Sequence, residues 1–433
     1  MKFENLTNLI IIILCCLIIQ AFFVLKKNPF PSADGYYRIA FNLNEYKIYS
    51  NSKTKPTTET FARAPGFPFF LSFGLQLDNK LKNSIQCFIK YQKECQIELS
   101  FYRILQYFLF LITGLTIFFY SLEIGARPKI SLLLTVVSLL IISPHIVYYR
   151  SSESLAIPLF GILTLSLTYF LRKKQTLLWL VIAASSLALL SLTRVVYYYF
   201  YFLIAFFLLL YYVKIKIDFL KNLSYLVIFS SIFGAIVYPW KYKNYTLYEN
   251  MSISDQGVVK VLGNRIAHNN MTLNEYFTGF LYWTPIIGDN IAKKLLDKSK
   301  WENFDTNNTN GFRYQGREIA KKALMKFKTT KKAKEKLILQ ILSEPFKHFF
   351  TSILFFWSGL YYVIIFFPFV VLCIFKYKKM FNLDFTIILL PGILNLLVHS
   401  FCTHFNVRYG LPSIFIFSGL CAVYLSKIVL HEK

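Results

Sequence analysis

Ten apolar runs with few or no charges recur along this sequence, near residues 6–25, 104–122, 130–149, 154–171, 176–193, 197–213, 222–239, 349–375, 383–401 and 409–428. Several reach the ~20 residues that a helix needs to cross a bilayer core. The expected fold is therefore an all-α polytopic membrane protein of about ten transmembrane helices. Composition agrees: 55% of the residues are hydrophobic and 16% charged, against a charged share of ~25% in ordinary soluble domains. That excludes a disordered chain and a small disulfide scaffold. The first run has no small-residue cleavage site before Lys26 and Lys27, so it reads as a retained helix rather than a removed signal peptide.

Short loops orient the runs through their basic residues. Arg127/Lys129, Arg172/Lys173/Lys174, Lys214/Lys216/Lys221 and Lys376/Lys378/Lys379 recur in alternate loops, which makes those loops cytoplasmic and puts both chain ends inside. Lys26 and Lys27 run against this orientation, and four loops outweigh one flank. The long stretches 26–103 and 240–347 then fall on the outer face. Within them, residues 67–77 are apolar but too short to span, as suits a helix lying in the interface. Residues 317–340 read as a basic amphipathic helix whose simplest role is a solvated face near lipid headgroups. The organisation read from this pattern is an N-terminal transmembrane module over 1–239, an outer-face segment over 240–347 and C-terminal transmembrane helices over 348–433.

The chain carries 48 basic and 22 acidic residues, a net charge of +26. An anionic lipid surface is the simplest counterpart of such a charge, and no nucleic-acid partner is expected. Only 11 of the basic residues are Arg. Four of them, Arg63, Arg150, Arg194 and Arg408, fall at the outer membrane edge, beside the carboxylates Asp34 and Glu153. Arg grips phosphate or carboxylate with a planar fork, which Lys lacks. Carboxylates and arginines converging there suit chemistry on an anionic lipid headgroup. The competing reading is structural, with Arg150 and Glu153 as an i,i+3 ion pair and the rest as headgroup anchors. His145, His399 and His404 match no standard metal spacing. Cys87 and Cys95 share a polar segment, which leaves a disulfide open. No nucleophile elbow, phosphate-binding glycine loop or Cys-x-x-Cys pair occurs.

Asp34-Gly35-Tyr36-Tyr37-Arg38-Ile39-Ala40 followed by Arg63-Ala64-Pro65-Gly66-Phe67-Pro68-Phe69-Phe70-Leu71 resembles the first outer loop of GT-C membrane glycosyltransferases. The branch in question holds the protein O-mannosyltransferases and the lipid A aminoarabinose transferases. Further stretches are similar to that family in the same order along the chain: Arg103-Ile104-Leu105-Gln106, Ser152-Glu153, Pro239-Trp240-Lys241-Tyr242-Lys243-Asn244-Tyr245, Ser343-Glu344-Pro345-Phe346 with Trp357, and Arg408-Tyr409-Gly410-Leu411-Pro412. Gly35 follows Asp34 where many relatives carry a second carboxylate, and the chain lacks a large C-terminal soluble domain.

The resemblance implies an enzyme that moves a sugar from a polyprenyl-phosphate carrier, with inversion, to an acceptor hydroxyl on the outer face. It implies Asp34 as general base, with Glu153 orienting the acceptor or sharing that role. Arg63 is the first candidate for the carrier phosphate, supported by Arg194 and Arg408, with Arg38 and Arg150 behind them. No cofactor is implied, although a divalent metal stays open, and the acceptor is a protein, a lipid or a glycan. The expected location is a prokaryotic cytoplasmic membrane with the active face outward, or a lumenal site in the endoplasmic reticulum. The rival classes are a flippase or transporter of lipid-linked sugars, a polysaccharide polymerase or ligase, and a non-catalytic scaffold. A transporter would more often show internal repeats, which the sequence lacks, and a polymerase would put its key residues in one late outer loop.

Overall fold

The computed structural model describes all of the chain except residues 1–2, 26–34, 53, 62, 78, 80–81, 84–85, 87–99, 149–150, 173–175, 216–218, 255, 306–307, 328, 403–406 and 432–433. Asp34 and Arg150, the flanking Lys26 and Lys27, the pair Cys87 and Cys95, and His404 lie outside the described residues. Among the described residues the secondary structure is helical, with no strand.

The chain divides into two compact units. The first comprises Met1–Ile253, Pro368–Pro391 and Phe415–Lys433; the second comprises Ser254–Phe367 and Gly392–Ile414.

In order, the first unit begins with α1 (Phe3–Leu25), α2 (Tyr36–Tyr46) and α3 (Gly66–Leu77). Then come α4 (Ser100–Glu123), α5 (Pro128–Ser143), α6 (Glu153–Arg172), α7 (Leu177–Thr193), α8 (Tyr198–Ile215) and α9 (Phe219–Tyr248). The second holds α10 (Gln256–Asn269), α11 (Leu273–Tyr282), α12 (Gly288–Leu295), α13 (Phe312–Phe327), α14 (Thr330–Leu342) and α15 (Pro345–Gly359). The remaining helices are α16 (Phe367–Lys376), α17 (Leu383–Cys402) and α18 (Ile414–His431).

Among the described residues, seven helices are long and apolar enough to cross a membrane, and the chain is an integral membrane protein. The other expected spans differ for physical reasons. The run near 349–375 folds as α15 and α16, bent by 105° at a short break. The 17 residues of α7 rise only about 26 Å, short of the ~30 Å hydrocarbon core. Apolar α8 is also among the shorter helices, and α3 is the short apolar run expected in the interface. At 30 residues, α9 runs about 45 Å and extends past any bilayer core.

Close packing in the first unit rests on small side chains. The buried face of α7 carries Ala183, Ala184, Ser186, Ala188 and Ser191, and α6 buries Ser154, Ala156 and Gly161. Small residues let helices approach where no hydrophobic force acts between them. Hydroxyls on these faces satisfy themselves on the preceding turn: Thr164 donates to the Phe160 carbonyl at 2.9 Å, and Ser191 to that of Leu187 at 2.8 Å. Gln106 of α4 donates at 3.0 Å to the Ile146 carbonyl in the π-turn that follows α5.

In the second unit α10 crosses α13 through two glycines. A Cβ on Gly316 would lie 2.7 Å from the Asn264 nitrogen, so only glycine permits this approach. The core around it is Val259, Ile266, Ala320, Ala323, Ala333 and Leu337, and a second cluster packs Tyr276, Trp283, Phe304, Phe312 and Phe355. α11 starts at a capping box, in which Thr272 and Glu275 satisfy each other's backbone N–H groups.

Candidate active site

The first-loop motif folds into two short helices held by one connecting strap. Gly35 precedes α2 with φ of 75°, a left-handed conformation, and a Cβ there would sit 2.7 Å from the Asn51 carboxamide oxygen. The left-handed backbone favours glycine at this position. From the first turn of α2, Arg38 donates to the Asn51 carbonyl at 3.3 Å. One turn on, Asn42 donates to the carbonyls of Ser50 at 2.8 Å and Ser52 at 3.1 Å. The strap returns through Thr60, whose N–H donates to the Tyr49 carbonyl at 2.7 Å.

Tyr49 locks the end of the strap. Its hydroxyl donates to the Arg63 carbonyl at 3.0 Å and to that of Ala64 at 3.3 Å. Its ring, 1% exposed, lies 4.8 Å from Trp240 and 6.1 Å from Phe69. Burial pushes the Tyr49 phenol well above its ordinary pKa, reinforced by Tyr36 and opposed by Arg63, so the hydroxyl stays a donor. The Arg63 guanidinium lies 5.3 Å from the Tyr36 ring centre, and Tyr36 meets Phe67 edge-on at 5.4 Å. Burial also lowers the pKa of Arg38.

Three residues beyond Arg63, Gly66 abuts the end of α7. A Cβ on Gly66 would lie 2.7 Å from Thr193 Oγ1 and 2.9 Å from its backbone nitrogen. The next residue, Arg194, caps α7 and reaches Glu153, the first residue of α6, at 3.3 Å. The side chains are 12% and 2% exposed. A guanidinium at a helix C-terminus and a carboxylate at a helix N-terminus both complement the helix dipoles. Leu155, two residues past Glu153, packs against the cluster of Tyr37, Ala40, Phe41, Phe67 and Leu71 formed by α2 and α3.

The first unit thus gathers Arg38, Arg63, Glu153 and Arg194 around the starts of α2, α3 and α6 and the end of α7. Glu153 pairs with Arg194, 41 positions along the chain. Arg408 belongs to the second unit, in a 3-10 turn over Val407–Ser413. There Asn395 donates to the Tyr409 carbonyl at 2.7 Å, and a Cβ on Gly410 would collide with the Gly359 carbonyl. His399 stacks on Tyr409 at 4.5 Å. Among the described residues, no three His, Cys, Asp or Glu side chains form a group able to hold a metal ion.

The Pro-Trp stretch acts as an anchor. Trp240 donates its indole N–H to the Ile253 carbonyl at 2.9 Å, and Asn244, one turn later, donates to that of Ser252 at 2.7 Å. Lys243 pairs with Glu59 of the strap at 2.7 Å. Sequence reasoning passed over Tyr36, Tyr49 and Thr193. In the second unit it also missed Arg265, which is 2% exposed. That guanidinium donates to the Ser400 carbonyl at 2.6 Å, to His348 Nδ1 at 3.1 Å and to the Ser352 hydroxyl, and lies against the Phe355 ring.

No family model and no curated protein matches this chain. Among solved structures, it is similar to the archaeal oligosaccharyltransferase AglB from Archaeoglobus fulgidus, a GT-C family member, solved in complex with an inhibitory peptide and a dolichol-phosphate. The TM-score is 0.55 at 12% identity, and the match covers 100% of this chain and 51% of that one. This chain therefore spans about half the length of that oligosaccharyltransferase. The likeness is one of fold: an all-helical polytopic membrane architecture shared with that oligosaccharyltransferase.

Proposed function

We propose that the protein is an integral-membrane glycosyltransferase of the GT-C type, which moves a sugar from a polyprenyl-phosphate carrier to an acceptor hydroxyl. The observation that carries this reading is the junction of the Arg63 strap with the end of α7, where Gly66 abuts Thr193 and Arg194 pairs with Glu153 at 3.3 Å. Three arginines and a carboxylate held at helix ends make a cationic cradle suited to a departing phosphate. The AglB likeness supports the same class, since that protein was solved with a lipid phosphate and a peptide.

In the proposed reaction the acceptor oxygen attacks the anomeric carbon from the face opposite the phosphate. A new C–O bond forms as the sugar–phosphate bond breaks, and the phosphate leaves with the bonding electrons. The acceptor proton passes to a carboxylate, and Asp34 is assigned that role as general base. Glu153 is assigned a positioning role instead, because its carboxylate already pairs with Arg194 at 3.3 Å. Its role is to orient Arg194. Arg63 takes the carrier phosphate first, with Arg194 supporting it. Arg38, Arg150 and Arg408 are assigned to the same anionic substrate at lower rank. The active face is taken to be the outer one of a prokaryotic cytoplasmic membrane, following the basic loops.

The test is mass spectrometry of polyprenyl-phosphate lipids from cells lacking the protein, rescued with wild type or Asp34→Asn. One glycosylated carrier accumulates, and only the wild type clears it. Clearance by Asp34→Asn equal to wild type removes Asp34 from the mechanism. No accumulation at all overturns the carrier-lipid reading.

A further inference from the structure

The helices α13 and α14 of the second unit carry nine basic residues against two acidic ones, Glu318 and Glu335. Their buried positions are small or apolar: Gly316, Ala320 and Ala323 on α13, and Ala333, Leu337 and Ile341 on α14. The opposite faces expose Arg317, Lys321, Lys322 and Lys326 on α13, and Lys332 and Lys336 on α14. Among the described residues none of these six joins an ion pair.

Large apolar side chains stand among those cations. Met325 is 66% exposed, Leu339 57% and Leu342 65%. Cations flanking exposed apolar groups are the pattern of a helix lying in a bilayer interface, with the aliphatic stems along the acyl boundary and the ammonium groups among the phosphates. Position reinforces composition. Only Ser343 and Glu344 separate α14 from α15, the first half of the bent apolar pair that is long enough to span a membrane. The exposed Phe346, Phe349 and Phe350 open that helix. The hairpin is therefore tethered within two residues of an apolar helix, which keeps it within the range over which a charged membrane surface attracts it.

We infer that the α13–α14 hairpin is a docking surface for anionic phospholipid headgroups of the membrane in which the protein sits. Its cations meet the headgroup phosphates, and Met325, Leu339 and Leu342 enter the acyl boundary. This holds whether or not the protein is a glycosyltransferase.

The full chain, reconstituted in nanodiscs of phosphatidylglycerol or of phosphatidylcholine, supplies the test through amide hydrogen exchange over residues 312–342. Exchange is expected to be several-fold slower in phosphatidylglycerol, with the difference erased by high salt. A variant carrying Lys321→Gln, Lys322→Gln, Lys326→Gln, Lys332→Gln and Lys336→Gln loses the difference, while exchange in the α10 core stays as in wild type. If that core also loosens, the salt titration of the wild type decides. Equal exchange in the two discs overturns the proposal, including the case where both are slow, because the contact is then apolar alone. A soluble polyanion, dextran sulfate, that slows exchange in phosphatidylcholine more than phosphatidylglycerol does also overturns it, in favour of an anionic glycan partner.

Discussion

Arg194 and Glu153 meet at 3.3 Å, one at the end of α7 and the other at the start of α6, both withdrawn from solvent. The pair ties two apolar helices at their ends, next to the turn where Gly66 touches Thr193. Position makes it structural and chemical together. Each charge supports the other, and the guanidinium stays beside the strap that carries Arg63.

Breaking a buried ion pair by removing one partner costs about 3–5 kcal/mol. Arg194→Met is expected to lower the thermal unfolding midpoint in detergent sharply, and Glu153→Gln to do the same. The double variant recovers part of the loss, giving a coupling of about 0.5–3 kcal/mol in a double-mutant cycle. Losses that simply add would show that the two side chains do not depend on one another.

Tyr49→Phe deletes a single hydroxyl, the one donating to the Arg63 and Ala64 carbonyls. A cost of about 0.5–1.5 kcal/mol follows for the lost hydrogen bonding. The ring packing on Trp240 and Phe69 survives, so the fold should stand. Binding of undecaprenyl phosphate, followed by native mass spectrometry, should weaken in this variant because the strap end carrying Arg63 loosens. If wild type and Tyr49→Phe retain the lipid equally, the strap does not set the position of Arg63. If neither binds it, the carrier-lipid reading itself fails.

Much of this arrangement was legible in the sequence, for reasons that particular residues make plain. Apolar runs report composition, and composition suffices to place α1, α4, α5 and α6. It does not report direction, so the 349–375 run read as one span although it turns by 105° ahead of Pro368. Spacing offered Arg150, outside the described residues, as a structural partner for Glu153, but it could not offer Arg194, which reaches Glu153 only once α6 and α7 have packed. Tyr49 is one of 30 tyrosines, and nothing local marks it as the residue that holds the strap. Arg265 had a usable signal, since it is one of only 11 arginines and sits in a helix outside the apolar runs. It lies away from the ends of the apolar runs, where charge placement is informative.

Gly66→Ala should separate packing from charge. The added methyl would lie 2.7 Å from Thr193 Oγ1 and 2.9 Å from the Thr193 nitrogen, and a backbone atom cannot rotate away. Overpacking of this kind costs about 1–3 kcal/mol. Thr193→Ala relieves the contact with the hydroxyl but not the one with the backbone, so the double variant recovers only part of the thermal stability. Full recovery would mean that the hydroxyl contact alone keeps α3 and α7 apart.

His268 gives the second unit a pH dependence with a defined sign. The ring is fully enclosed by Trp283, Phe312 and Phe355, and its Nδ1–H donates to the Asn264 carbonyl at 2.6 Å. Burial lowers its pKa from 6.5 to about 4, helped by neighbouring Arg265 and opposed by that backbone hydrogen bond. Between those two values the unfolded chain binds a proton that the folded one refuses, so stability falls as pH drops. The stabilisation is fully present above pH 6.5 and is lost on the way down to about pH 4, amounting to about 3 kcal/mol. Thermal unfolding followed across that range should show the decline in wild type. His268→Gln, which cannot take up the proton, should flatten it relative to wild type while carboxylate titration persists in both. Identical slopes for the two proteins would mean that His268 is already charged in the folded unit.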